Sequence, residues 1–284
     1  MKKTVLWGCL TVAACTPAPQ VQPDPHYVVG QAWQAGGQWF YPREDFSWQG
    51  TGVAIRQEAK KGELTADGEV SSDITMTGSH PTLQLPAIVR VTNLENGREI
   101  TIRLNDRGPG QAGRLIGLSR QAATLLGVGD APVQVRIVED EMASRKLAEN
   151  LPGGPMLQIS MAPLEAVQQA DLAGGQAGHV GAAVAGSTPV TQIDRRALVA
   201  DLPVEVRQGQ PAPGMLWVET MDFTSRTAAM TQAARQGAGI RPVLAGHGMM
   251  WAVRYGPFVT IQEADAALHR ALASGFNGSH LVVE

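Results

Sequence analysis

A chain of 284 residues is long enough for two small domains, at roughly 100–200 residues each. Its formal net charge is −3 and no run of basic residues occurs, which argues against nucleic acid as a partner, because neutralising phosphates takes clustered Lys and Arg. Charged residues make up only 17%, against 32 Gly and 18 Pro, so loops, linkers and short β elements are expected in place of long charged helices.

In chain order, Lys2 and Lys3 precede an apolar stretch from Val5 to Ala14 that is too short to span a bilayer, so residues 1–14 read as a secretion signal. The segment ends in Val12-Ala13-Ala14-Cys15, which resembles a bacterial lipobox. That resemblance implies cleavage before Cys15 and acylation of Cys15, with several chains on one residue giving a stable membrane anchor. Thr16 in place of aspartate after the cysteine resembles the outer-membrane sorting pattern, so the expected address is the periplasmic face of the outer membrane. A plain signal peptide with a chance cysteine is the competing reading. With Cys9 lost and Cys15 acylated, no thiol is left for a disulfide, and folded parts must hold by packing.

Residues 15–25 form a Pro-rich, extended tether. Residues 26–51 are rich in Gly and aromatics (Trp33, Trp39, Phe40, Tyr41, Phe46, Trp48) and are expected to pack on the domain that follows, a carbohydrate platform being the alternative. Residues 52–140 alternate short strands and turns. The runs 87–94 (AIVRVTNL) and 99–105 (EITIRLN) have period two and flank Glu95-Asn96-Gly97-Arg98, a strong hairpin signal. Residues 118–126 predict a short helix stopped by Gly127, and 133–138 a further strand. A small β-barrel with one inserted helix fits this pattern best. Residues 141–213 are dominated by Ala, Gly, Gln and Pro and read as a mostly disordered linker, with short helical patches at 144–150 and 163–170. From 214 to 284 the order β-α-β-β-α-β predicts a separate ferredoxin-like α/β unit.

Polar residues of chemical interest cluster in three places of the first domain. Thr65-Ala66-Asp67-Gly68-Glu69 is a tight turn with two acids, His80 precedes a proline at an extended loop edge, and Asn105-Asp106-Arg107 ends an alternating strand. Each has an ordinary structural explanation: Asp106 as a turn cap, Arg107 as a solvated charge, His80 as a satisfied loop histidine, Glu69 as a surface acid. The six histidines are scattered without metal-ligand spacing, and no nucleophile elbow, phosphate loop or dinucleotide fingerprint occurs, so neither metal nor cofactor is expected.

The runs GELTADGE (62–69), TGSHPTLQLPAIVRVTNLENGREITIRLNDRGP (77–109) and RLIGLSRQAATLLG (114–127) resemble the rare lipoprotein A family. The resemblance implies a six-stranded double-psi β-barrel and carries over a catalytic aspartate to Asp106, a histidine to His80 and a glutamate to Glu69, with Asn105 and Arg107 as flanking substrate-binding positions. The last 70 residues resemble the sporulation-related repeat (SPOR) domain, with Tyr255-Gly256-Pro257-Phe258 at its Gly-Pro-Phe position. That implies binding of peptide-free peptidoglycan glycan strands at the division septum, with Trp217, Trp251 and Tyr255 as candidate stacking residues and core packing as their competing role. Together the modules are similar to the septal lytic transglycosylases of the family, with septal division proteins as further partners. Departures fall at Ala54-Ile55-Arg56-Gln57, where the family has Ala-Ser-Trp-Tyr-Gly, at Ser71-Ser72, where it has an aromatic-Asp pair, and at Gly117, where it has aspartate.

The implied chemistry is cleavage of the MurNAc–GlcNAc β-1,4 bond without water, giving 1,6-anhydro ends. Asp106 would be the acid–base, Glu69 would disfavour its charged form by repulsion, and His80 would orient the pair. Non-catalytic wall binding and a purely structural link between membrane and wall are the alternatives.

Overall fold

The computed structural model describes residues 22–155, 199–245 and 248–284. The secretion signal, Cys15, most of the Pro-rich tether and the 163–170 patch lie outside the described residues.

The aromatic-rich segment opens with a small hairpin, β1 (Trp33–Ala35) and β2 (Gln38–Phe40). Six strands then close a barrel: β3 (Gln49–Arg56), β4 (Thr77–Ser79), β5 (Ala87–Asn93), β6 (Arg98–Asp106), β7 (Ile116–Leu118) and β8 (Val133–Glu139). Around the ring the order is β4-β7-β3-β8-β5-β6, and β6 pairs in parallel with β4 to complete it. This is the closed six-stranded barrel that the resemblance implied. Alternation along β5 and β6 turns Val89, Val91, Ile100, Ile102 and Leu104 into a fully buried core shared with Ile116, Leu118, Val135 and Ile137.

The β5–β6 turn needs its glycine twice. Gly97 has φ +77°, and a Cβ there would lie 2.4 Å from the Gly209 carbonyl oxygen. Helix α1 (Arg120–Leu126) is capped by the Ser119 side chain and ends at Gly127 in the left-handed conformation, as the sequence predicts.

Residues 141–213 differ from the expected linker at both ends. The first part forms α2 (Glu141–Asn150), N-capped by Asp140, whose Ala148 joins Tyr27, Phe46 and Leu151 in a small core. The last part lies along the barrel: β9 (Val206–Gln208) pairs with Arg98–Ile100 of β6 on the edge β4 leaves free, and the Ala200 carbonyl accepts a 2.9 Å hydrogen bond from Arg103. The expected 144–150 patch is the greater part of α2, whereas mean composition hid the β9 segment because the barrel surface supplies its hydrogen-bond partners.

The C-terminal unit runs β10 (Leu216–Phe223), α3 (Arg226–Gln236), β11 (Gly239–Ala245), β12 (Gly248–Phe258), α4 (Ile261–Ala273) and β13 (His280–Val283). Its antiparallel sheet has the order β11-β12-β10-β13. A capping box between Thr260 and Glu263 starts α4, and its face of Ala264, Ala267, Leu268 and Ala271 is buried on the sheet.

This unit is docked on the barrel and does not stand apart. Val53 and Leu94 of the barrel belong to the same apolar cluster as Leu216, Leu268, Leu281 and Val283. Arg114 makes a bidentate ion pair with Asp265 at 2.8 and 2.7 Å, Thr51 Oγ1 donates to the Val283 carbonyl at 2.7 Å, and Gln134 and Gly214 exchange two hydrogen bonds. Gly113, at φ +76°, sits so close that a Cβ would meet Leu268 at 2.7 Å. Gly113→Ala is therefore expected to lower the stability of the whole chain by about 1–3 kcal/mol through overpacking and left-handed strain. An unchanged urea midpoint would show that this contact is not kept in solution.

Candidate active site

Asp106 closes β6 where the ladder with β4 slips: Gly78 faces Leu104 but Ser79 faces Asp106, so Asn105 is the extra residue of a bulge. Such a bulge re-aims the side chain next to it. Asp106 Oδ1 accepts from the backbone N–H of Ala66 at 3.0 Å and of Arg107 at 2.8 Å. Among the described residues nothing is hydrogen-bonded to Oδ2. One oxygen is thus fixed, and Asp106 lines a cleft together with Gln57, Ser79, Asn105, Gly117 and Ser119.

At Gly117 the structure explains a departure from the family pattern. A Cβ there would lie 1.8 Å from Gln57 Oε1 and 2.6 Å from Ser79 Oγ. The Gln57 side chain occupies the room that an aspartate would take, and accepts a hydrogen bond from the Ser79 hydroxyl. A neutral amide stands where the family places a charge. Ser71 and Ser72, the second departure, are also at the cleft wall, where Ser71 Oγ accepts from the Lys60 N–H at 3.0 Å.

Glu69 is not free to act on Asp106 as the sequence suggested. It is buried and held by Arg103, with Nε to Oε1 at 2.7 Å and Nη2 to Oε2 at 2.6 Å, and Asn105 Nδ2 donates to Oε2 at 3.2 Å. Asn105 is spent there, although it also lines the cleft. The charge of Glu69 is matched by a guanidinium that is itself 3% exposed. Arg103 escaped the sequence reading because Glu99, Thr101, Arg103 and Asn105 alternate with apolar residues and look like a solvent face. The 65–69 turn and the strap from residue 199 onward cover its inner part.

The acid that Glu69 does influence is Asp67. Its carboxyl is fully buried, its Oδ1 accepts from Thr65 Oγ1 at 2.7 Å and from the Glu69 N–H at 3.2 Å, and its Oδ2 has no hydrogen-bond partner among the described residues. Burial first, and the nearby Glu69 charge second, push it up to about 8, so it is held protonated in the fold. A group raised in the folded state stabilises fully below its unfolded value of 3.8, and that contribution is lost as pH rises through about 8. Asp67→Asn is expected to flatten the fall in unfolding free energy between pH 4 and 8. A wild-type slope in denaturant titrations of that variant would refute the assignment.

His80 is placed by its backbone, whose N–H donates to the Asp106 carbonyl at 3.1 Å. Its ring does not line the Asp106 cleft. It packs edge-on against Trp48, with ring centroids 4.9 Å apart. Nδ1 accepts from the N–H groups of Thr82 and Leu83 at 3.2 and 3.1 Å, which puts the proton on Nε2. Burial, with Arg107 adding to it, pulls His80 down to about 3, so the ring is neutral at physiological pH. The expected orienting role toward Asp106 and Glu69 is therefore not made through the ring.

Arg107, expected to bind substrate, spends its guanidinium on the carbonyls of Val29, His80 and Leu83. It ties the N-terminal segment and the 80–83 loop to the end of β6. Burial lowers it to about 10, and it stays charged.

In the C-terminal unit the three aromatic candidates part company. Trp251 packs with Ala229, Ala233 and Val253 beneath α3, and Tyr255 lies on the α4 side with its hydroxyl donating to Gln236 Oε1 at 2.6 Å. These two take the core-packing role. Trp217, between buried Leu216 and Val218, points to the opposite face, where the Arg254 guanidinium lies 3.9 Å from its ring centroid.

A family model described as lytic transglycolase matches residues 46–136, the barrel. A Pseudomonas aeruginosa protein named endolytic peptidoglycan transglycosylase RlpA is 32% identical over 267 residues, covering 86% of this chain and 75% of that protein. The chain belongs to the RlpA family. A Yersinia pestis protein of the same name is 37% identical over 158 residues, 46% of this chain and 44% of that protein. The Escherichia coli K12 member is 46% identical over 80 residues, which are 28% of this chain and 22% of that protein. The first of these alignments extends well beyond the barrel.

Proposed function

We propose that the chain is a lytic transglycosylase that cleaves the MurNAc–GlcNAc β-1,4 bonds of peptide-free peptidoglycan strands to 1,6-anhydro products. The observation that carries this reading is Asp106, which lines the cleft with one oxygen fixed by two backbone N–H groups. Among the described residues the only other carboxylate at the cleft wall is Glu58, drawn to the exposed rim by Arg120 at 3.0 Å. One acid–base group suits a reaction in which water takes no part, whereas hydrolysis uses two carboxylates. Asp106 gives its proton to the leaving O4 as the C1–O4 bond breaks. Its carboxylate then takes the proton of the sugar's own C6 hydroxyl as O6 bonds to C1. Family membership, with relatives named for endolytic transglycosylation, supports the same chemistry.

We place the protein in the envelope through a lipid on Cys15, on the periplasmic face of the outer membrane, and enriched at the septum through a SPOR-like C-terminal unit. The lipobox-like Val12-Ala13-Ala14-Cys15 and the βαββαβ order of residues 216–283 support this. The second reading is non-catalytic strand binding, favoured by Gln57 standing in the place of the family's carboxylate. Incubating the purified protein with amidase-treated strands and weighing the fragments separates them. New anhydro-ended fragments are expected, and bound but uncut strands would establish the second reading.

A further inference from the structure

The RlpA assignment leaves one built surface unused. Between the N-terminal hairpin, His80 and the C-terminal unit lies a cleft of about 470 Å³. The hairpin wall is held rigidly: Trp33 stacks on Phe40 with centroids 4.6 Å apart, and its indole N–H donates to the Pro81 carbonyl at 3.0 Å. Strand alternation turns Trp39 the other way, and Trp39 and Tyr41 line the cleft at 48% and 67% exposure. Asp222 and His280 of the C-terminal unit form the facing wall. Arg114, whose ion pair with Asp265 docks that unit, also lines it. The floor includes His80, 1% exposed, whose protonated Nε2 is buried with no hydrogen-bond partner among the described residues.

Exposed rings beside converging polar groups match a ligand with an apolar face and hydroxylated edges. Ser79 lines the Asp106 cleft and its neighbour His80 lines this one. We propose that this cleft is a second saccharide site, holding a further part of the glycan strand besides the part cut at Asp106. Trp39 and Tyr41 supply the stacking faces, and the barrel and C-terminal unit share the site. The inference rests on the transglycosylase reading for the identity of the strand, but its test does not depend on turnover.

The test measures binding of peptide-free glycan fragments of increasing length to full-length Asp106→Asn protein by calorimetry, with and without Trp39→Ala and Tyr41→Ala. Affinity is expected to rise with length. Each ring removed is expected to cost roughly tenfold with long fragments, about 1.4 kcal/mol, and nothing with a disaccharide. Trp39→Phe and Tyr41→Phe should restore most of the gain, and thermal melts should stay at the parent value because both rings are exposed. In the catalytic background the alanine variants should raise KM for long strands and leave kcat unchanged. Length dependence unaltered by either alanine variant overturns the proposal, as does loss with peptide-bearing fragments alone. Absence of anhydro products from the wild type, with length dependence intact, sinks the catalytic reading and leaves the second site standing.

Discussion

Asp106→Asn is expected to cut the release of anhydro-ended fragments by about 10²–10⁴-fold, the usual contribution of a positioned proton donor and acceptor. The folded state should barely notice. An asparagine oxygen can still accept from the Ala66 and Arg107 N–H groups at 3.0 and 2.8 Å, so the turn bearing Asp67 and the end of β6 keep their junction. Asp106→Ala removes that acceptor as well, and should cost about 1–3 kcal/mol of stability for the two stranded donors on top of the same loss of turnover. Comparing the pair separates chemistry from scaffolding. Wild-type turnover by the asparagine variant, read by mass analysis of the fragments, would remove Asp106 from the mechanism.

Loss of one partner from the Arg103–Glu69 pair is expected to be the most damaging change to stability. Both groups are buried, and breaking such a pair leaves an uncompensated charge at a cost of about 3–5 kcal/mol. Arg103→Met should be the worse of the two single changes, because it leaves Glu69 beside buried Asp67 and also gives up the hydrogen bond to the Ala200 carbonyl. Glu69→Gln, Arg103→Met together should recover a large part of the loss, since no charge is then left without a partner. Urea unfolding of the two singles and the double measures this directly. The same Glu69→Gln protein, assayed below its melting temperature, decides whether Glu69 has any part in turnover. Near-normal kcat is the expected outcome, and a drop comparable to that of Asp106→Asn would return Glu69 to the mechanism.

How much could be read in advance depends on what each element needs from its neighbours. Strands β5, β6 and β8 carry period-two patterns because one face of each fills the barrel, and the Asn-Gly turn joining β5 to β6 is local chemistry. Strands β4, β7 and β9 are three residues long, too short to show a period, and exist because a barrel edge supplies their partners. The site followed the same division. The place of Asp106 at the end of β6 was legible from the alternating run before it, whereas the contacts of Glu69, His80 and Arg107 turn on which neighbour reaches them. Gly117 signalled a missing acid, but only the path of the Gln57 side chain says what replaced it. Asp67 was visible as one of two acids in a turn, and its protonation follows from depth, which the sequence does not encode locally.

The docked strap at residues 199–212 has a consequence for the stretch of chain that precedes it. Residue 155 leaves the barrel beside Tyr27, and residue 199 rejoins the same body near Arg103, so both ends of the intervening segment are moored. Its length then does not set how far the C-terminal unit can travel. The placement of the C-terminal unit is set instead by the parts that pack, whatever length of chain lies between residues 155 and 199.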